Sequence, residues 1–364
     1  MIKSCYIHIP FCKKICSYCD FCKLLYNKKF IDKYLSDLEV EINNKYRGDT
    51  LSTIYIGGGT PSCLDLDELE RLFKIISTFK ISNDLEYTME CNIDSITKDK
   101  LLLMKKYGIN RISIGIESID KNNLKILERE SDKKRIINTI GMIRDIGFNN
   151  INLDLMYAIP GEDINTLNKD IDFILSLDPE HISCYSLIIE DNTKLSINNY
   201  KYIDEDIDYN MYNLICTKLN NNNYRHYEIS NFCKDGYYSR HNMCYWNNEY
   251  YYGFGIGASS YIDDYRITNT RSITKYIDNK IEKEIIDFYS KIEYELLLGL
   301  RLIDGIDLDS FYNKYNIKLN ELYNYDALVK EGLLVVDNNH LFIPEDKLYV
   351  SNEIIVRLLN NVIK

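Results

Sequence analysis

The chain has 364 residues, 45% of them hydrophobic, enough for one large α/β core with a smaller appended domain. Its formal net charge of -11 argues against a general nucleic-acid binder, because affinity for a phosphate backbone rests on Lys and Arg displacing counterions. The sequence shows neither a secretory leader nor a run of about 18 apolar residues, so the expected location is cytoplasmic.

In chain order, Cys5 to Ile9, Thr53 to Ile56, Leu85 to Glu90, Arg111 to Ile116, Ile151 to Met156 and Ile182 to Leu187 read as strands. Between them, Phe30 to Asn44, Leu66 to Phe79, Lys98 to Tyr107, Arg135 to Ile146 and Ile164 to Leu177 repeat apolar residues at helical spacing. Successive β-then-α units predict an α/β fold with a parallel sheet and right-handed crossovers, open or closed into a barrel. Chemistry in such barrels gathers at the carboxyl ends of the strands. Unusual motifs stand at those positions: Cys12 to Cys19 after the first strand, Gly57 to Pro61 after the second, Glu90 ending the third and Glu117 after the fourth.

From about Asp204 the pattern changes to a long helix and then to a Gly- and Tyr-rich stretch, Tyr250 to Tyr261, expected as an irregular cover over the barrel mouth. The last segment, from about Glu282, combines helical patterns with a hairpin, Leu333 to Val336 and His340 to Ile343, which suggests a winged-helix-like packing or interaction module. The expected division is a barrel with the cysteine cluster over 1–200, a cover over 201–280 and the C-terminal module over 281–364.

Five of the 11 cysteines fall between Cys5 and Cys22, and that clustering points to metal rather than to a disulfide framework. Cys12-Lys-Lys-Ile-Cys16-Ser-Tyr-Cys19 places three thiolates in one loop, suited to three corners of a 4Fe-4S cubane with its fourth iron open. The competing reading is a structural zinc site that adds Cys22. Gly58, Gly59 and Thr60 can bring backbone N–H groups close to the carboxylate or ammonium of a ligand.

The flanking residues carry a resemblance. Tyr6-Ile-His-Ile-Pro-Phe-Cys12 through Cys19-Asp20-Phe21, Tyr55-Ile-Gly-Gly-Gly-Thr-Pro-Ser62, Gly108 to Ser118, Asn152 to Tyr157 and Ile182 to Leu187 resemble, in order, the radical S-adenosylmethionine superfamily. Within it they are most similar to the branch of oxygen-independent coproporphyrinogen oxidases and related heme chaperones. The match spans roughly the first 270 residues, a length that suits one barrel and its cover. It implies a partial (β/α)6 TIM-like radical SAM barrel with a C-terminal helical, winged-helix-like domain. It also implies a 4Fe-4S cluster on Cys12, Cys16 and Cys19, with S-adenosylmethionine chelated at the open iron. By the same resemblance Tyr6, Tyr18, Gly58, Gly59, Thr60, Glu90, Glu117, Arg129 and Asp154 hold that cofactor; carboxylates accept from its hydroxyls or amino group, and Arg129 can pair a carboxylate. Two residues depart from the branch: Glu117 replaces its usual Gln, and Cys91 and Ile93 replace Ala and Pro in its Glu-Ala-Asn-Pro run.

Oxidases of the branch generally carry a fourth cysteine two positions after the third, where this chain has Phe21, and a long segment ahead of the cluster motif, whereas this chain reaches Cys12 almost at once. His241-Asn-Met-Cys-Tyr245-Trp246 resembles the His-Asn-x-x-Tyr-Trp signature of the heme chaperones. The resemblance implies heme on His241, with Tyr245 and Trp246 as flat apolar surface. The expected partners are heme, an acceptor protein and an electron donor if S-adenosylmethionine is cleaved; no nucleic acid is expected, and a homodimer is compatible with the sequence. The alternative is a coproporphyrinogen III oxidase performing oxidative decarboxylation in porphyrin biosynthesis. Enzymatic activity stays open between the two, and no catalytic residue is assigned.

Overall fold

The computed structural model describes residues 1–276 and 281–363. Six parallel strands form its centre: β1 (Ser4–Ile9), β2 (Thr50–Gly58), β3 (Lys80–Cys91), β4 (Arg111–Glu117), β5 (Ile151–Tyr157) and β6 (His181–Ser186). They pair in chain order, each parallel to the next, while β1 and β6 do not meet, so the barrel is partial and open. On β6 the sheet continues antiparallel through β8 (Asn231–Cys233) to β7 (Arg225–Glu228).

Crossover helices α1 (Lys28–Lys45), α2 (Leu66–Ile76), α3 (Lys98–Lys106), α4 (Lys121–Ile126), α5 (Lys133–Asp145) and α6 (Ile164–Ser176) connect the strands. Each begins at an Asn, Asp or Thr whose side chain accepts a first-turn N–H, as at Asp65, which forms a capping box with Glu68. The outward residues of the strands, such as Cys5, Ile7 and Ile9 of β1 and Ile54 and Ile56 of β2, belong to the main buried apolar cluster with the helices.

The inward residues are of another kind. Strands of a parallel sheet buried on both faces ordinarily read as continuous apolar runs. Here every second residue is polar: Tyr6 and His8, Thr53 and Tyr55, Thr88 and Glu90, Arg111 and Ser113, Asn152 and Asp154, His181 and Ser183. Because strand side chains alternate between faces, these residues share the lumen, which is therefore lined with chemistry rather than filled with an apolar core.

The stretch Tyr250 to Tyr261, expected as an irregular cover, is regular. It forms β9 (Tyr251–Phe254), parallel to β1, and β10 (Ser259–Ile262), and the sheet continues through β11 (Tyr265–Asn269) to β12 (Ile281–Ile285). The tight return between β9 and β10 depends on Gly253, where a Cβ would stand 1.9 Å from the Ser259 carbonyl oxygen. The expected boundary at 280/281 adjoins residues 277–280, which lie outside the described residues.

The final segment packs helices Phe288–Gly299, Leu308–Tyr315 and Ser351–Leu359 with an antiparallel sheet of Ile306–Asp307, His340–Phe342 and Val335–Asp337. Its hairpin turns at Asn338 and Asn339, both in the left-handed region, the conformation a two-residue type I′ turn requires. Among the described residues no helix is long and apolar enough to cross a membrane.

Candidate functional site

The loop after β1 is pinned at both ends, since Leu24 N donates to the Pro10 carbonyl and Tyr26 N to that of Cys12. Between these anchors stand Cys12, buried, and Cys16 and Cys19, half-buried, all as free thiols. Burial pushes the Cys12 thiol up to about 11, against the hydrogen bond it accepts from Thr60 Oγ1 at 3.6 Å. Cys19 is raised by burial too. The three sulfurs lie close enough for each to bear on the charge of Cys12, and such a group of thiols without internal metal-like partners fits a cluster that binds thiolates and drives off their protons. Cys22 belongs elsewhere: its Sγ donates to the Arg271 carbonyl at 3.5 Å, and its own carbonyl contacts His8 Nε2 at 2.7 Å. That placement sets Cys22 apart from the other three thiols, whereas a four-thiolate zinc site would need it among them.

Arg129 stands beside the loop. Its Nη1 donates to Cys16 Sγ at 3.7 Å and lies 3.6 Å from Glu117 Oε1, while Nη2 donates to the Gly115 carbonyl at 2.6 Å. Tyr18 donates to the same Glu117 oxygen at 3.2 Å. Burial raises the Glu117 carboxyl, Arg129 opposes that rise, and Arg129 itself stays charged against its burial because Glu117, Tyr18 and Cys16 surround it. A cavity of about 110 Å³ opens here, lined by Lys13, Cys16, Thr60, Asn92 and Arg129 among others.

Across the mouth, Glu90 accepts from Tyr55 Oη at 2.9 Å and from Gly58 N at 3.0 Å. Burial pushes its carboxyl up to about 7 in spite of both bonds. Tyr6 Oη contacts His8 Nδ1 at 2.9 Å, and Asp154 accepts from Asn152 Nδ2 at 2.8 Å. Tyr6, Glu90, Glu117 and Asp154 thus come from four strands, β1, β3, β4 and β5, and meet Tyr18 of the cysteine loop and Arg129 of the loop after α4.

The glycine loop differs from expectation. The N–H groups of Gly58, Gly59 and Thr60 are all spent within the protein, on Glu90, Ile9 and Phe11. The glycines are instead needed for packing, because a Cβ on Gly58 would stand 2.6 Å from the His8 ring and one on Gly59 would stand 2.8 Å from Cys12 Sγ.

The His241 group also differs. These residues form helix α7 (Arg240–Trp246), whose first N–H groups donate to Glu86 in the lower lumen. His241 is 1% exposed, with Nδ1 at 2.8 Å from Thr53 Oγ1, Nε2 at 2.8 Å from Tyr245 Oη and its ring stacked on Tyr55. Burial lowers its pKa to about 3, with Arg111 adding to the effect. Both ring nitrogens are engaged, so His241 as it stands does not fit an iron ligand. Trp246, five residues on and about 140° round the helix, is turned away to pack near Arg301, and no flat Tyr–Trp surface flanks His241. Cys244 is buried among Tyr251, Tyr261 and Ile286, as an inert thiol would be.

Tyr55, Arg111, Asn152 and His181 were absent from the sequence-derived set. The period-2 polar residues on strands flanked by crossover helices are the signal that would have found them.

The model of the Radical SAM superfamily matches residues 6–174, and that of the HemN C-terminal domain matches residues 291–346. The chain is 36% identical to the heme chaperone HemW of Bacillus subtilis over 97% of this chain and 98% of that one, and 34% identical to HemW of Lactococcus lactis over 98% and 97%. Among solved structures it is similar to coproporphyrinogen III oxidase (HemN) of Escherichia coli, with a TM-score of 0.85 at 21% identity over 98% of this chain and 89% of that one, which shows a shared fold.

Proposed function

The chain belongs to the HemW family of the radical SAM superfamily, and from that premise we propose that it is a heme chaperone that binds heme and passes it to an acceptor protein. The observation that carries this reading is the similarity to HemW relatives along nearly the whole chain, with Phe21 where the oxidases generally place a fourth cysteine.

In this reading Cys12, Cys16 and Cys19 hold the 4Fe-4S cluster, and the mouth residues hold S-adenosylmethionine. Bound together, cluster and cofactor supply one-electron chemistry. Arg129 orients the polar end of the ligand with Glu117 as its resident partner, Glu90 and Asp154 accept from the ligand's hydroxyls or amino group, and Tyr6 and Tyr18 wall the loop. An external electron donor is needed only where the cofactor is cleaved. The eleven free thiols suit a reducing compartment, the cytoplasm.

Heme is assigned to the neighbourhood of His241, Tyr245 and Trp246. For His241 to serve as a ligand, Tyr245 must first release Nε2, and heme uptake is then coupled to movement of that ring. Heme titration of anaerobically reconstituted protein tests the proposal: stoichiometric binding that weakens in His241→Ala supports it, and unchanged affinity in that variant removes His241 from the site.

The engagement of both His241 nitrogens favours a second reading, a coproporphyrinogen III oxidase in which His241 only braces the lower lumen. It requires repeated decarboxylation of a porphyrinogen.

A further inference from the structure

Arg111 enters the lumen from β4, is 2% exposed and is the largest fully buried side chain among the described residues. Among those residues it forms no ion pair, and its Nε has no hydrogen-bond partner. A buried, unpaired guanidinium is strongly destabilising.

The nearest carboxylates do not cancel it. Burial holds both Glu90 and Asp154 above their ordinary range, and Arg111 only partly offsets that. Its charge also reaches His181 and His241, where it adds to the effect of burial in keeping both rings neutral. Above it the lumen is open: Tyr185 on β6 is 41% exposed, and Tyr55, Glu90 and Asp154 are half-buried.

We propose that Arg111 is a carboxylate-binding residue at the lower end of the barrel, whose counter-charge arrives with the ligand. A guanidinium matches a carboxylate with two parallel N–H···O bonds, and the pairing is strongest in a desolvated site. Of the two ligands of the proposed function, heme brings such a group in its propionates, whereas the methionyl carboxylate of S-adenosylmethionine belongs to the mouth, beside Arg129. The inference rests on that function only for the identity of the ligand as heme.

The test uses the full-length wild type, Arg111→Met and Arg111→Lys. Thermal unfolding is followed in sodium propionate and in sodium chloride at equal ionic strength. Propionate is expected to raise the wild-type midpoint, to leave Arg111→Met unmoved and to act in part on Arg111→Lys, while Arg111→Met without ligand is at least as stable as wild type. Absence of a propionate effect in wild type, or an equal effect in Arg111→Met, overturns the proposal. So does a marked loss of stability in Arg111→Met that Arg111→Lys restores, because Arg111 would then be the counter-charge of Glu90 and Asp154.

Two further titrations assign the source. A preference of wild type for heme over its dimethyl ester that Arg111→Met loses assigns the propionate, and a fall of about tenfold in S-adenosylmethionine affinity in Arg111→Met overturns that assignment. Failure of wild type to bind heme sinks the chaperone reading alone, since the propionate measurement needs no heme.

Discussion

Glu117 and Arg129 form a buried ion pair at 3.6 Å, and Tyr18 donates to the same carboxylate oxygen. Glu117 sits at a bulge between β4 and β5 with φ of 64°, which turns its side chain back over Gly115 toward the guanidinium. A carboxylate here competes with any ligand carboxylate for Arg129. Glu117→Gln keeps the shape and removes the competitor, so S-adenosylmethionine is expected to bind about three- to tenfold more tightly. Equilibrium dialysis with the reconstituted protein measures this, and Arg129→Met in the same background should abolish the gain.

The thiols divide by position. Replacement of Cys12, Cys16 or Cys19 by Ser is expected to remove most iron and sulfide from anaerobically reconstituted protein, whereas Cys22→Ser retains both, because Cys22 faces Arg271. Iron and sulfide analysis with the visible absorption of the cluster decides it. Zinc instead of iron in the wild type, lost on Cys22→Ser, would restore the zinc reading.

Tyr245→Phe isolates the gate proposed at His241. It removes the hydroxyl at Nε2 and leaves Thr53 and the Tyr55 stack in place. The apo protein should lose about 1 kcal/mol of stability from the hydrogen bond, while heme association quickens. Urea unfolding and stopped-flow absorbance read the two effects. A variant that loses stability without faster association shows that Tyr245 only braces the histidine.

Much of the barrel was legible because apolar runs and helical repeats alternate strongly from Cys5 to Leu177. What escaped did so for physical reasons. The stretch Tyr250 to Tyr261 carries three glycines that break strand patterning, yet Gly253 is there to let β10 approach. The three consecutive residues Gly58 to Thr60 read as free donors because sequence does not show that Glu90, Ile9 and Phe11 take their N–H groups. His241 and Trp246 looked adjacent in sequence, whereas a helix separates their faces. Arg111, the first residue of β4, escaped although its polarity, two residues before Ser113, was the clue.

Glu90 and His241 give opposite pH dependences. The Glu90 carboxyl titrates near 7 when folded against an ordinary 4.5. Between those values the folded state keeps a proton that the unfolded state has released, so this group's contribution to stability falls as pH rises, by up to about 1.4 kcal/mol per unit. His241, near 3 against an ordinary 6.5, remains neutral when folded while the unfolded chain takes up a proton, so its contribution falls as pH drops through that window. Glu90→Gln removes the first effect alone. Its stability relative to wild type should therefore increase from about pH 4.5 to 7 and then level off. Urea midpoints at half-unit steps test the sign, and a flat difference would contradict the buried, protonated carboxyl.

The most direct test of the chaperone reading pairs two assays on one anaerobically reconstituted sample: heme titration, and coproporphyrinogen III turnover with S-adenosylmethionine and a reductant. The account predicts stoichiometric heme binding, release of that heme to an apo-acceptor and no decarboxylation beyond background. Sustained decarboxylation without specific heme binding would contradict it and make the chain an oxidase.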